Sequence, residues 1–192
     1  MRHGRTEWNA LRRFQGQSDI PLSDEGRTQA AATAGALASE PLEAIVSSDL
    51  SRAFETARVI AAHHDLEVVP DPRLREFAFG EWEGLTWDEI VARYPVAADM
   101  AFSSVRAYAP TGGERFDSVR ARVGRVLDEF AGREGRVVFV THAGALHALL
   151  DILVADQLDL QTVRLTPASI TRIAMDSGKA RLMSLDDVRH LD

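Results

Sequence analysis

A chain of 192 residues, 45% of them apolar and 27% charged, is long enough for one domain with a sizeable core and short for two. Its 29 acidic against 22 basic residues leave a net charge of −7, which argues against a nucleic-acid surface. The absence of cysteine removes disulfides, thiolate catalysis and cysteine-held metal.

No stretch approaches the apolar length of a membrane span, and the start does not read as a signal peptide, so a cytoplasmic protein without a membrane partner is expected. The chain opens on Met1-Arg2-His3-Gly4-Arg5-Thr6-Glu7-Trp8-Asn9 and continues into Phe14-Gln15-Gly16. This stretch gathers an imidazole, guanidinium forks and small hydrogen-bonding side chains, the groups needed to hold and attack a phosphate. An isolated Arg-His-Gly is weak evidence. Its weight depends on what recurs downstream.

Ser23 reads as the N-cap of an Ala-rich helix, with Asp24 and Glu25 at the positive end of its dipole and Pro41 beyond its end. Ala44-Ile45-Val46 reads as a buried strand ending at Ser47-Ser48-Asp49, and Leu50 to His63 as a helix with Ala53, Ala57 and Ile60 on its apolar face. Leu66 to Val69 reads as a second strand stopped by Pro70-Asp71-Pro72. Leu74 to Thr86 is irregular and carries Glu76, Phe77, Phe79 and Trp82. A short helix from Trp87 is expected to stop at Pro95. The stretch 96–113 is expected to form a mobile cap with some helix, within an insertion at about 77–113 of a single domain covering 1–192.

Glu114 to Ala131 is the clearest helix, because Phe116, Val119, Val123, Val126, Leu127 and Phe130 recur at three and four spacing. Arg136 to Val140 reads as a strand covered on both faces, delivering Thr141-His142-Ala143-Gly144 into a helix from Ala145 to Val154. Two alternating runs near Ser169 to Met175 and Ala180 to Leu185 flank an Asp176-Ser177-Gly178 turn. The alternation of strands and helices predicts an α/β fold with a mostly parallel sheet.

In such sheets ligands gather beyond the carboxyl ends of the strands. Arg2-His3-Gly4, Ser48-Asp49 with Arg52, and Thr141-His142-Ala143-Gly144 all fall at those points and are expected to converge, with the helix after His142 aiming N–H groups at an anion. His3 is then a candidate nucleophile, Arg2 and Arg52 phosphate forks, and Glu76 a general acid and base, with no metal or cofactor required. Each has a plainer reading: Arg52 as an exposed helix residue, His142 as a structural histidine, Glu76 as a solvated loop carboxylate. His63, His64, His147 and His190 share no convergence point and are read as structural or surface residues. Trp8, Phe14 and Trp82 are read as core or rim packing.

These motifs together resemble the histidine phosphatase superfamily, in the branch that also contains cofactor-dependent phosphoglycerate mutases. The resemblance is carried by Arg2 to Asn9, by Phe14-Gln15-Gly16 with Asp19 and Pro21-Leu22-Ser23, and by Ser47 to Ala53 with Thr56-Ala57. It continues through Leu74-Arg75-Glu76, Phe79 to Thr86, Gly112-Gly113-Glu114 and Val140 to Gly144. It implies a three-layer fold with helices on both sheet faces. It also implies that His3 becomes phosphorylated, that Arg2, Arg52 and His142 hold the phosphoryl group, and that Glu76 donates and accepts the proton. Asn9, Gln15, Gly16 and the backbone around Ala143 would contact phosphate or substrate. His3 must be neutral to attack, and a charged His142 would help the developing negative charge.

Three departures from the family pattern matter. Arg5 stands where Glu or Gln is usual and is expected to add a cation near the pocket, and Ala143 replaces a glycine. Family members also carry an apolar strand before Arg-His-Gly, where only Met1 stands here. A start several apolar residues upstream is therefore expected, with His3 poorly held if Met1 alone precedes it.

The expected function is a metal-independent phosphomonoesterase acting through phospho-His3 on a small phosphorylated metabolite. The similarity of Tyr108 to Glu114 to the matching segment of actinobacterial glucosyl-phosphoglycerate phosphatases points to a phosphoglycerate or sugar-phosphoglycerate. Two alternatives are a phosphoglycerate mutase and a non-catalytic binder of phosphorylated ligands. Mutases of this family usually follow the acid with Arg-His-Tyr-Gly, whereas Phe77-Ala78-Phe79-Gly80 stands here. A homodimer is the assembly allowed for.

Overall fold

The computed structural model describes residues 1–103 and 108–192. In chain order the elements are α1 (Glu7–Ala10), α2 (Asp24–Leu37), β1 (Leu42–Ser47), α3 (Ser51–Ala61), β2 (Val68–Pro70), α4 (Trp87–Arg93) and α5 (Pro95–Ser103). There follow α6 (Phe116–Phe130), β3 (Arg136–Val140), α7 (Ala143–Val154), β4 (Ile170–Asp176) and β5 (Lys179–Asp187). β1 lies between β2 and β3, parallel to both, and β4 and β5 form an antiparallel hairpin.

Alternation along β1 explains why helices cover both faces. Ile45 packs with Ala53, Ala57 and Ile60 of α3 and Ala34 and Leu37 of α2, while its neighbour Val46 packs with Leu74 and Val126 of α6. Each fully buried Val, Leu or Ile side chain among them contributes about 1.5–3 kcal/mol. A third cluster joins α6 and α7 through Val119, Val123, Leu146 and Leu149, with Leu182 of the hairpin packed against it. The architecture is the expected α/β fold, with a parallel sheet between helices.

Residues 1–3 join the two sheets. The Met1 ammonium donates to Phe139 O at 2.7 Å. Thr141 N–H donates to Met1 O and His3 N–H to Thr141 O, both at 3.0 Å, while Arg2 N–H reaches Ser169 O and Ala168 N–H reaches His3 O. His3 is therefore pinned on both sides by backbone bonds, contrary to the expectation that it would be poorly held.

Several boundaries differ from expectation, each for a local reason. α7 begins at Ala143, two residues early, because His142 has extended backbone angles and serves as N-cap. β2 includes Pro70, which an edge strand tolerates because no ladder N–H is needed on its outer side. α4 stops before Pro95, as expected, and Pro95 itself opens α5, consistent with its fixed φ at a first helical position. α1 was not foreseen: Thr6 caps it, its hydroxyl accepting from Asn9 N–H while the Asn9 side chain accepts from Thr6 N–H.

Within the predicted 77–113 insertion, α4 and α5 enclose Trp82, Ile90, Ala98 and Ala101, with Phe14, Trp87 and Tyr108 packed around them. The part of that cap at 104–107 lies outside the described residues. Phe14 and Trp82 thus serve as packing residues, as expected.

Candidate active site

The carboxyl ends of β1 and β3, together with residues 1–3, bring His3, Arg52 and His142 into one buried cluster. The His3 and His142 rings lie 5.0 Å apart, centroid to centroid, inclined at 58°. His3 Nδ1 lies 2.6 Å from Gly4 O. A carbonyl only accepts, so Nδ1 carries the proton and Nε2 keeps a free lone pair. That is the tautomer a nucleophile requires. Gly4 has no room for a side chain, since a Cβ would lie 2.5 Å from Gly26 O, and this close approach presses the chain after His3 against the start of α2.

His142 Nε2 is 2.8 Å from the Ser48 hydroxyl, and its buried Nδ1 has no partner among the described residues. Arg52, in the first turn of α3, is fully buried. It donates to Gly16 O at 2.7 Å and Ser18 O at 2.9 Å. Glu83 secures that loop from behind, accepting from Gln17 N–H, Ser18 N–H and the Ser18 hydroxyl. Arg2 donates to Leu165 O at 2.5 Å. Among the described residues neither Arg2 nor Arg52 makes an ion pair, and the Nε of each is buried without a partner.

Glu76 joins the cluster from the irregular loop. Its carboxylate accepts from Gly144 N–H at 3.1 Å and from its neighbour Phe77 N–H at 2.9 Å, so it rests on the first turn of α7, where the dipole favours negative charge. Glu76 is within electrostatic reach of both Arg2 and Arg52.

Burial pushes His3 well below its ordinary pKa, and the cations of Arg52 and Arg2 add to the shift. The same influences push His142 down, again with burial largest. Both imidazoles are therefore neutral near pH 7. For His3 this matches the chemistry. For His142 the surroundings oppose the charged form expected from the sequence, and a dianionic phosphoryl group would have to offset them. Burial also lowers Arg52, to about 10, which leaves it cationic at neutral pH.

The remaining sequence candidates have more local partners. Asn9 is engaged in the α1 capping box. Gln15 is buried and accepts the Thr6 hydroxyl proton at 2.9 Å, Gly16 offers its carbonyl to Arg52, and Ala143 is the first residue of α7. Arg5 does not add its charge to the cluster: it pairs with Glu25 at 2.9 Å near the surface. His147, read from the sequence as a structural or surface residue, lies within electrostatic reach of Glu76. It is half-buried, with its pKa lowered by burial against an opposing influence from Glu76. Its position three residues after Gly144, on the same helix face, was the available signal.

Comparison with known proteins agrees with this geometry. The family model described as "Histidine phosphatase superfamily (branch 1)" matches residues 1–188. Phosphoglycerate mutase-like protein 4 of Arabidopsis thaliana is 38% identical over 200 aligned positions, covering 100% of this chain and 85% of that protein. The metal-independent phosphoserine phosphatase of the same plant is 38% identical, covering 100% of this chain and 81% of its own length. A mycobacterial glucosyl-3-phosphoglycerate phosphatase, solved with VO3, superimposes with a TM-score of 0.87 at 34% identity, covering 97% of each chain. The chain belongs to the histidine phosphatase superfamily.

Proposed function

We propose that this protein is a phosphomonoesterase working in two steps through a phosphohistidine on His3. The observation that carries the reading is a pair of guanidiniums, Arg52 fully buried and Arg2 half-buried with a buried Nε, neither ion-paired to a carboxylate among the described residues. Buried charges are ordinarily paired, because an unpaired one costs several kcal/mol. A phosphoryl dianion supplies a directly bonded counter-charge, and the guanidinium fork fits its oxygens.

In the first step His3 Nε2 attacks phosphorus and the bond to the leaving oxygen breaks, with Glu76 protonating that oxygen. In the second, water attacks the phosphoryl group and gives its proton to Glu76. The N–P bond breaks, and phosphate leaves with its charge still opposite Arg2, Arg52 and His142. Gln15, Gly16, Asn9 and the backbone around Ala143 form the approach to this site. No step needs a metal ion.

The substrate is a small phosphorylated metabolite. We assign it to the phosphoglycerate or sugar-phosphoglycerate class, supported by the likeness to the mycobacterial enzyme. The proposal covers one domain spanning 1–192 with a cap at about 77–113. Its cytoplasmic location suits a chain without cysteine. Among the described residues no helix is long and apolar enough to cross a membrane.

The test is phosphate release from phosphoglycerates, phosphoserine and sugar phosphates in EDTA, by the protein and by His3→Ala. Release that persists in EDTA and disappears in His3→Ala is expected. Release that requires a divalent metal, or that survives the substitution, would overturn the reading.

A further inference from the structure

The Gly112-Gly113-Glu114 motif has no part in the chemistry above, yet its carboxylate is tied to the segment that carries Glu76. Arg122, on α6, bonds both Glu114 oxygens, from Nε at 3.0 Å and from Nη2 at 2.9 Å. Its Nη1 donates to Arg73 O at 2.7 Å and to Arg75 O at 2.6 Å, and Nη2 also donates to Glu76 O at 2.9 Å. A guanidinium has five N–H donors. All are accounted for, on a side chain only 11% exposed.

Further contacts complete the grip. The Thr141 hydroxyl donates to Leu74 O at 2.5 Å, so two side chains hold the four consecutive carbonyls of residues 73–76. Glu114 then accepts from Ala78 N–H at 3.0 Å and from the Gln17 amide at 3.3 Å, and its own N–H donates to Ala78 O at 2.8 Å. The Gln17 amide also reaches Glu76 O at 3.2 Å.

We propose that Arg122 and Glu114 are positioning residues for the proton-transfer step, fixing the backbone of Glu76 so that its carboxylate meets the leaving oxygen. The inference rests on the role assigned to Glu76 above. With every donor engaged, Arg122 has none left for a phosphoryl oxygen, so it acts through Glu76 and not on the substrate. The pair is neutral as a unit and orients the loop without adding net charge beside the acid. Only a planar fork holds three carbonyls and a carboxylate together, which is why lysine cannot replace it.

A misplaced proton donor slows the expulsion of a poor leaving group far more than that of a good one. The experiment therefore compares kcat/KM for an alkyl phosphate monoester with that for p-nitrophenyl phosphate, whose leaving group departs without protonation. Arg122→Lys is expected to lose about 100-fold on the alkyl ester and less than about threefold on the aryl ester, within the range general acids supply. Glu114→Gln is expected to show the same selectivity with a smaller loss of about tenfold, and decides the matter if Arg122→Lys fails to fold by circular dichroism. Equal losses on both esters, or no loss on either, would overturn the proposal. Glu76→Gln separates the two levels of the reading. Selective loss there but not in the clamp variants defeats the clamp alone, and no selective loss in Glu76→Gln defeats the role of Glu76 and the clamp with it.

Discussion

Gly144→Ala places a methyl group where the structure has none to spare. A Cβ at Gly144 would lie 2.4 Å from Glu76 Oε1 and 2.4 Å from the Phe77 ring, with a second ring atom at 2.8 Å. Ordinary carbon contacts lie near 3.5–4.0 Å, so the carboxylate must shift by about 1 Å or α7 must tilt by as much. The Gly144 N–H bond to Glu76 is strained by either movement. For stability, alanine gains about 1 kcal/mol of helix propensity over glycine, while overpacking costs about 1–3 kcal/mol. The net effect is a destabilisation of about 0–2 kcal/mol, or up to about 8 °C in Tm for a chain of this size. For catalysis, a 1 Å misplacement of a reacting group costs about 100-fold. The assay is kcat/KM on an alkyl phosphate monoester with a parallel thermal melt. A folded variant within about twofold of the parent activity would refute the placement of Glu76 as proton donor, because a loss of about 100-fold is required.

Gly35, in the last turn of α2, offers the matching control: a Cβ there meets nothing within 4 Å. Gly35→Ala is expected to raise stability by about 0.5–1 kcal/mol, seen as a Tm increase of about 1–4 °C with unchanged activity. The depressed histidines give a pH dependence whose sign is fixed. His3 and His142 stay neutral in the fold, whereas the unfolded chain takes up protons below about 6.5, so stability is full above that pH and falls as pH drops. Lowering the pH from about 7.5 to about 5.5 therefore costs stability at both residues. Urea unfolding at both pH values should show this difference, with about half recovered in His142→Asn; a flat profile would contradict the burial of neutral imidazoles. Orthophosphate at about 100 times its Kd should stabilise the protein by about 2.7 kcal/mol, a Tm rise of about 5–10 °C. Arg52→Met should abolish that rise, and an equal rise in the variant would remove Arg52 from the anion site.

The fold was legible where local pattern and tertiary placement agree. The period of Phe116, Val119, Val123 and Val126 marks α6, and the apolar runs of β1 and β3 mark strands covered on both sides. The meeting of Arg52 and His142 was legible because each follows a strand end, a position any parallel sheet brings together. Other features were not, for physical reasons. α1 is four residues held by a Thr6–Asn9 capping box, too short to show a period. Whether Arg5 points toward the site or toward Glu25 depends on the packing of α2 against residues 4–5, which no local spacing encodes. The Arg122 contacts span 46 to 49 residues to the carbonyls they hold, and a main-chain acceptor leaves no side-chain signature. Residues 1–3 read as too short to hold His3, yet they are secured by backbone bonds to β3 and to Ala168 and Ser169, whose approach appears only in three dimensions.

The central claim is a covalent phosphoryl group on His3. Its most direct measurement is rapid mixing with an alkyl phosphate monoester in EDTA, followed by alkaline quench, intact-mass detection and peptide mapping. The account predicts one added phosphoryl group on the peptide carrying His3, lost on acidification and absent from His3→Ala. Steady phosphate release with no such adduct, or an adduct on any other residue, would contradict it.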